Sequence, residues 1–133
     1  MDPSEFLEGT TVHVPTTRYA VAQVEAVPDV DTFAVVRDER ETTVVVEEER
    51  VGSFDTLAVE RGWRRLTFDV VLPFDLVGFL AVVAGELAEA GVSVFALSAY
   101  STDHLLVQAA DLAAATERLA ALGCVVRART EDE

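Results

Sequence analysis

The densest chemistry in the chain lies in VSVFALSAYSTDHLLVQ, residues 92–108, where Ser98, Tyr100, Ser101, Thr102 and Asp103 place four hydroxyls and a carboxylate within six positions. β-Branched and aromatic residues dominate both flanks, which predicts two strands, 92–99 and 104–108, joined by a polar hairpin tip at 100–103. Hydroxyls and a carboxylate at the end of a buried sheet suit a small polar ligand. The same composition also fits a tip that simply faces water.

Other residue types that could do chemistry point away from catalysis. His13 and His104 stand apart from any grouping of cysteine, histidine and carboxylate that a zinc site or a catalytic triad requires. Glu47, Glu48 and Glu49 form an acidic run without ordered ligand spacing, which reads as a solvated turn and not a metal site. The one cysteine, Cys124, lies beside Val125 and Val126 and reads as a core thiol. Neither G-x-x-x-x-G-K nor G-x-G-x-x-G occurs, so no phosphate loop is expected. No cofactor or metal is anticipated.

Charge narrows the partners further. Twenty-four acidic residues against ten basic ones leave a net charge of −14, every basic residue is arginine, and lysine, asparagine and isoleucine are absent. Coding bias toward G and C removes those three residues together, and high internal salt favours a solvated carboxylate surface, so a halophilic, acidic protein is expected. Nucleic acid and anionic membrane find no basic stripe on such a chain. Half of the residues are hydrophobic, yet no apolar run is long enough to span a bilayer. The start MDPSEFLEGTT lacks a secretion pattern, so a cytoplasmic protein is expected.

The elements that must position the polar tip follow in chain order. Residues 1–16 show no periodicity, contain Pro3 and Pro15, and are expected to form a loose arm. A strand at 19–24 precedes a hairpin of 33–37 and 42–46 around the turn 38–41; a weak strand at 57–60 then meets a bend at Gly62. Alternation of Leu66, Phe68 and Val70 predicts a further strand from Arg65. A helix capped by Asp75 follows, with Leu76, Leu80, Val83 and Leu87 on its apolar face and Gly91 as its stop. After the hairpin, Asp111 caps a second helix, Gly123 ends it, and 124–127 is the last strand.

Residues 65–130 therefore read β-α-β-β-α-β, an α+β ferredoxin-like unit expected as a four-stranded antiparallel sheet with two helices on one face. Residues 17–64 read as a β-rich copy of that unit with turns in place of helices. A sheet without covering helices must lean on another lobe or another chain, so a homodimer is expected. Acylphosphatase-like chemistry, which other βαββαβ folds carry, needs an asparagine, and this chain has none.

The run ERGWRRLTFDVVLPFDLVGFLAVVAGELAEAGVSVFALSAYSTDHLLV resembles the single-chain bacterial and archaeal ACT-domain proteins related to the tandem-ACT amino-acid sensors. Their pattern is close to ERGWR.L, a glycine at a helix start, and LAEAGISVFA.STYDTD..LV. The likeness covers residues 19–123 and is strongest at 60–107. It implies a tandem ACT fold, a degenerate ACT-like lobe before a complete ACT domain, and a small ligand, often an amino acid, bound between lobes. It also maps the helix-start glycine onto Gly78 and the strand-end motif onto Ser98, Tyr100, Thr102 and Asp103. This chain departs from the pattern at Val77, Ala99, Ser101 and His104.

An α-amino acid presents a carboxylate and an ammonium, and the expected architecture has a partner for each. The helix start at Leu76, Val77 and Gly78 offers backbone N–H groups and the positive dipole end to the carboxylate, and Asp103 offers a charge to the ammonium or to a basic side chain. Asp75, as the cap of the same helix, would compete for those N–H groups. Gly78 equally suits close packing of helix on sheet, and Tyr100 suits an amphipathic rim position. The function expected is a non-catalytic sensor or regulatory module for a small amino acid or similar metabolite, with a ligand-free assembly module as the alternative.

Overall fold

The computed structural model describes residues 1–129; position 130, the expected end of the second lobe, lies outside them. The chain packs as two compact units, one made of Thr17–Trp63 and the other of Met1–Thr16 together with the chain from Arg64 onward.

In the Thr17–Trp63 unit, β2 (Tyr19–Val24), β3 (Ala34–Arg37), β4 (Thr42–Glu47) and the first part of β5 (Ala58–Phe68) form an antiparallel sheet in the order β3-β4-β2-β5. Counted along the chain this is the second, third, first and fourth strand, the order of a split βαβ sheet. Alternation sends Ala20, Ala22, Val24, Val44 and Val46 to one buried face. A 3-10 turn at Glu48–Ser53 lays Val51 over that face, with Phe54 packed beside it, where a helix would otherwise lie. The β3–β4 turn is fixed by Asp38, whose Oδ1 accepts from the N–H groups of Arg40 (2.8 Å) and Glu41 (2.9 Å). Those backbone donors, Glu41 first, hold the Asp38 carboxyl below its ordinary range.

The expected break at Gly62 is instead a bulge inside one eleven-residue strand. Tyr19 pairs with Trp63 and Val21 with Glu60, so β5 carries one residue more than β2 across that interval. Gly62, at φ +81°, absorbs the extra residue, and its N–H donates to Glu48 Oε1 at 2.8 Å. Pairing thus continues where sequence reading ends one strand and starts another.

The other unit holds β1 (Thr11–Pro15), the end of β5, α1 (Phe79–Glu89), β6 (Phe95–Ser98), β7 (Asp103–Gln108), α2 (Leu112–Ala121) and β8 (Val125–Arg129). Its sheet runs β8-β1-β5-β7-β6, a βαββαβ sheet with one added strand. That addition corrects the loose arm expected for residues 1–16. Here β1 pairs antiparallel with β5 (Val12 with Phe68) and parallel with β8 (Thr11–Pro15 against Val125–Arg129). Leu7, Val12 and Val14 are fully buried, and Gly9 N–H donates to Gly123 O at 2.8 Å. The sheet is accordingly five-stranded and mixed, not four-stranded and antiparallel.

Val12, Val14, Leu66, Phe68, Leu105 and Val107 share one core with Val83 and Leu87 of α1 and Ala115 and Leu119 of α2. Phe68 meets Phe79 edge-on at 5.3 Å, and Arg118 of α2 reaches Glu86 of α1 at 3.3 Å. Cys124 is buried, and desolvation pushes its thiol up to about 11. On the opposite side of the strands, Thr67 Oγ1 lies 2.8 Å from His104 Nδ1, and His13 Nε2 lies 2.9 Å from Asp69 Oδ2.

Helix α1 starts later than expected, and Asp75 does not cap it. The chain turns first at 73–76, where Leu76 N–H donates to Pro73 O at 3.0 Å. Gly78 at φ +92° is then the N-cap, without a side-chain cap bond. A residue in the left-handed region cannot extend the helix, so Leu76 and Val77 belong to the preceding turn. Asp111 does occupy the N-cap position of α2, though its carboxylate makes no cap bond. The first hairpin strand begins at Phe95 rather than 92, and Asp103 opens β7 instead of sitting in the tip.

Candidate functional site

The β6–β7 hairpin is closed by Ala99 N–H donating to Thr102 O at 2.9 Å, leaving Tyr100 and Ser101 at the tip. Below the turn Ser98 pairs with Asp103, and Ser98 Oγ donates to Asp103 Oδ1 at 2.6 Å. Two bonds fasten this tip to the segment that follows β5. Thr102 Oγ1 donates to Phe68 O at 2.9 Å, and Leu72 N–H donates to Ser101 O at 2.7 Å. Across the same seam Phe74 and Tyr100 meet edge to face, with ring centroids 4.8 Å apart.

These contacts frame a cleft of about 380 Å³ between the start of α1 and the hairpin tip. Of the seven positions singled out from the sequence, Leu76, Gly78, Ser98, Tyr100, Thr102 and Asp103 line it. Val77 does not; it lies outside the cleft and is 82 % exposed. Thr102 contributes to the wall, but its hydroxyl proton is already committed to Phe68 O. Sequence reasoning missed Leu72, Phe74, Leu80 and Ala81, which also line the cleft. The available signal was Phe74 itself, an aromatic directly after Pro73 in a loop.

Two electrostatic elements meet in this space. Phe79, Leu80 and Ala81 form the first turn of α1, so their N–H groups have no carbonyl of their own helix to bond. That first turn contains no acidic residue, and with Asp75 absent from the cap nothing of the helix itself neutralises its positive end. Asp103 supplies a carboxylate on the hairpin side, one oxygen of which already accepts from Ser98. The arrangement can take an anionic group at the helix start and a cationic group at Asp103.

His104 faces away from this chemistry. Burial first, and then the charge of Arg65, hold its imidazole below the ordinary range, while Asp103 acts in the opposite direction. Arg65 Nη1 donates to Thr67 Oγ1 at 2.6 Å, which leaves the Thr67 hydroxyl proton for His104 Nδ1. This chain of donors suits a neutral ring. A second cleft, of about 450 Å³, lies in the Thr17–Trp63 unit among Val27, Pro28, Phe54 and Leu57. Both charged residues there, Glu25 and Asp55, are acidic, so it offers an anion nothing. Among the described residues no group of three histidine, cysteine or carboxylate side chains could hold a metal ion, and no helix is long and apolar enough to cross a membrane.

Residues 58–121 match the family model of the ACT domain. The chain is similar to the ACT domain over that stretch, 64 of its 133 residues. Its matched region runs from β5 through α2 and so includes every residue of the cleft. A crystal structure of a protein from Agrobacterium tumefaciens is 27 % identical, with a TM-score of 0.78 over 90 % of this chain and 93 % of that one. A Vibrio cholerae protein of unknown function, described as a possible transport protein, is 23 % identical, with a TM-score of 0.71 over 88 % and 93 %. The ligand-free regulatory subunit of aspartate kinase from Thermus thermophilus shares the fold at 8 % identity, with a TM-score of 0.65 over 84 % and 95 %. No curated protein matches the chain. The fold is that of a tandem ACT arrangement.

Proposed function

We propose that this protein is a non-catalytic regulatory module that binds a small α-amino acid in the cleft between the start of α1 and the β6–β7 hairpin. The observation that carries this reading is the pairing, within one cleft, of an acid-free helix start and the Asp103 carboxylate. The two elements match the two charges common to every α-amino acid. A fold shared with the regulatory subunit of aspartate kinase supports a regulatory role over a catalytic one. The protein acts in the cytoplasm as a homodimer, and ligand occupancy is passed on through contacts between chains.

Asp103→Asn tests the site. Asparagine still accepts from Ser98 Oγ and keeps the shape of the side chain, so only the charge is lost. A hydrogen bond to a charged group contributes roughly 1.5–3 kcal/mol, and the partial exposure of Asp103 discounts that to about 1–2 kcal/mol, a five- to thirtyfold loss of affinity. Titration calorimetry on the wild type and the variant reads it directly. Equal affinities in the two proteins would remove Asp103 from the site.

A second reading, that of an assembly module without a ligand, draws on Val71, Phe74, Val77 and Tyr100, which are 75 %, 77 %, 82 % and 82 % exposed. Such a surface suits partner contact. Thermal unfolding with and without amino acids separates the two readings, because a ligand that binds only the native state raises the melting temperature.

A further inference from the structure

The lining of the cleft is more selective than recognition of an amino-acid backbone requires. Asp103 is the one charged side chain among the described residues that line it. The ligand ammonium uses that carboxylate, and the ligand carboxylate uses the start of α1. Any further charge on the ligand then lacks a partner. A guanidinium or ε-ammonium would have to share Asp103, and a second carboxylate would be brought near Asp103 itself. Each would lose hydration without compensation.

Beside the hydroxyls of Ser98, Ser101 and Thr102, the wall carries an apolar side made of Leu72, Leu76 and Leu80 with the rings of Phe74 and Tyr100. Those rings stand edge to face at 4.8 Å, yet are 77 % and 82 % exposed. Two large aromatic side chains at a concave surface present area that an apolar group can cover. Their frame is fixed, because Leu72 N–H to Ser101 O (2.7 Å) and Thr102 Oγ1 to Phe68 O (2.9 Å) tie the two ring-bearing segments together. The volume, about 380 Å³, also lies at the small end of ligand pockets, which span roughly 300–1,000 Å³.

We infer that the ligand is a neutral α-amino acid with a branched or aromatic apolar side chain, and that Phe74 and Tyr100 select it. This inference rests on the amino-acid reading of the cleft. Selection is by subtraction as much as by contact: among the described residues that line the cleft no second charged side chain stands ready, and the largest side chains on its wall are the two rings.

The test titrates the full chain, at molar salt, with phenylalanine, leucine, glycine, arginine, lysine, aspartate and glutamate in turn. Phenylalanine or leucine should bind tightest. Phe74→Ala and Tyr100→Ala should each weaken phenylalanine binding by roughly tenfold, the worth of part of a buried side chain, while changing glycine binding far less. Because both rings are exposed, neither substitution should lower the unfolding midpoint. Tighter binding of arginine, lysine, aspartate or glutamate would overturn the inference while leaving the amino-acid reading intact, as would unchanged phenylalanine affinity in both variants. Absence of binding across the panel would defeat the amino-acid reading, and this inference with it.

Discussion

Replacing Val12 by alanine asks whether residues 11–15 are a strand of the sheet or an arm lying on it. Val12 has no exposed surface, pairs with Phe68 of β5 and Val126 of β8, and shares a core with Leu66, Leu105 and Leu119. The substitution removes two methyl groups from that core. At about 0.8 kcal/mol per buried carbon, plus a term for the cavity left between two bonded neighbours, the loss is about 2–3 kcal/mol. With a urea dependence of roughly 1–3 kcal/mol per molar, the unfolding midpoint should fall by about 1 M. The assay is urea unfolding followed by circular dichroism, at one fixed salt concentration because the net charge of −14 makes stability salt-dependent. Thr16→Ala, at an exposed position just beyond β1, is the control and should change stability by less than about 0.5 kcal/mol. If Val12→Ala matches that control, and the amides of residues 11–15 exchange as fast as a terminus, β1 is not part of the sheet.

Cys124 should be chemically quiet: with its thiol pushed up to about 11 by burial, its thiolate fraction near pH 8 is on the order of a hundredfold below that of a free cysteine, and labelling by a thiol reagent should be slower in proportion until urea unfolds the chain. His104 should make the protein acid-sensitive. Its folded pKa lies below the unfolded value, so its contribution to stability is complete above about pH 6.5 and is lost as pH falls toward the folded pKa. His104→Gln should flatten the dependence of unfolding free energy on pH as pH falls below about 6.5. An unchanged slope would mean that the histidine is not buried against Arg65 as described.

The parts of the fold legible in the sequence were those fixed by local signals. Alternation in β2 and β4 and helical spacing in α1 and α2 need no distant partner to be read. What escaped was decided by residues far away in the chain. The alternation in Thr11–Pro15 is too short to stand out, and it becomes a strand because β5 and β8 bond to it on both sides. Gly62 reads as a break until its pairing with β2 reveals the bulge. The start of α1 was misplaced for a local reason: Asp75 has the chemistry of a cap, but the turn at 73–76 and the left-handed backbone of Gly78 move the start to Phe79. At the cleft, the hairpin tip was legible because hydroxyls and a carboxylate concentrate there. Phe74 was not, because its place opposite Tyr100 depends on the bond from Leu72 N–H to Ser101 O.

Apart from the added β1, the same strand order occurs in both units, yet only one of them builds a cleft in which a helix start meets a carboxylate. The difference lies in what replaces the helix and in what the hairpin carboxylate already does. In the Thr17–Trp63 unit the covering segment is a six-residue 3-10 turn with Glu48 and Glu49 in its first turn, so no acid-free helix start is available to an anion. At the β3–β4 tip, Asp38 accepts from two backbone N–H groups of its own turn. Asp103 instead opens the second strand of the β6–β7 hairpin, takes only the Ser98 hydroxyl among the bonds described, and lines the cleft. A carboxylate that closes its own turn stabilises the hairpin; one held by a neighbouring hydroxyl keeps acceptor capacity for a ligand. The split βαβ order is therefore common to both units apart from β1, whereas the proposed ligand site needs the α1 start and Asp103, which only the second of them brings together.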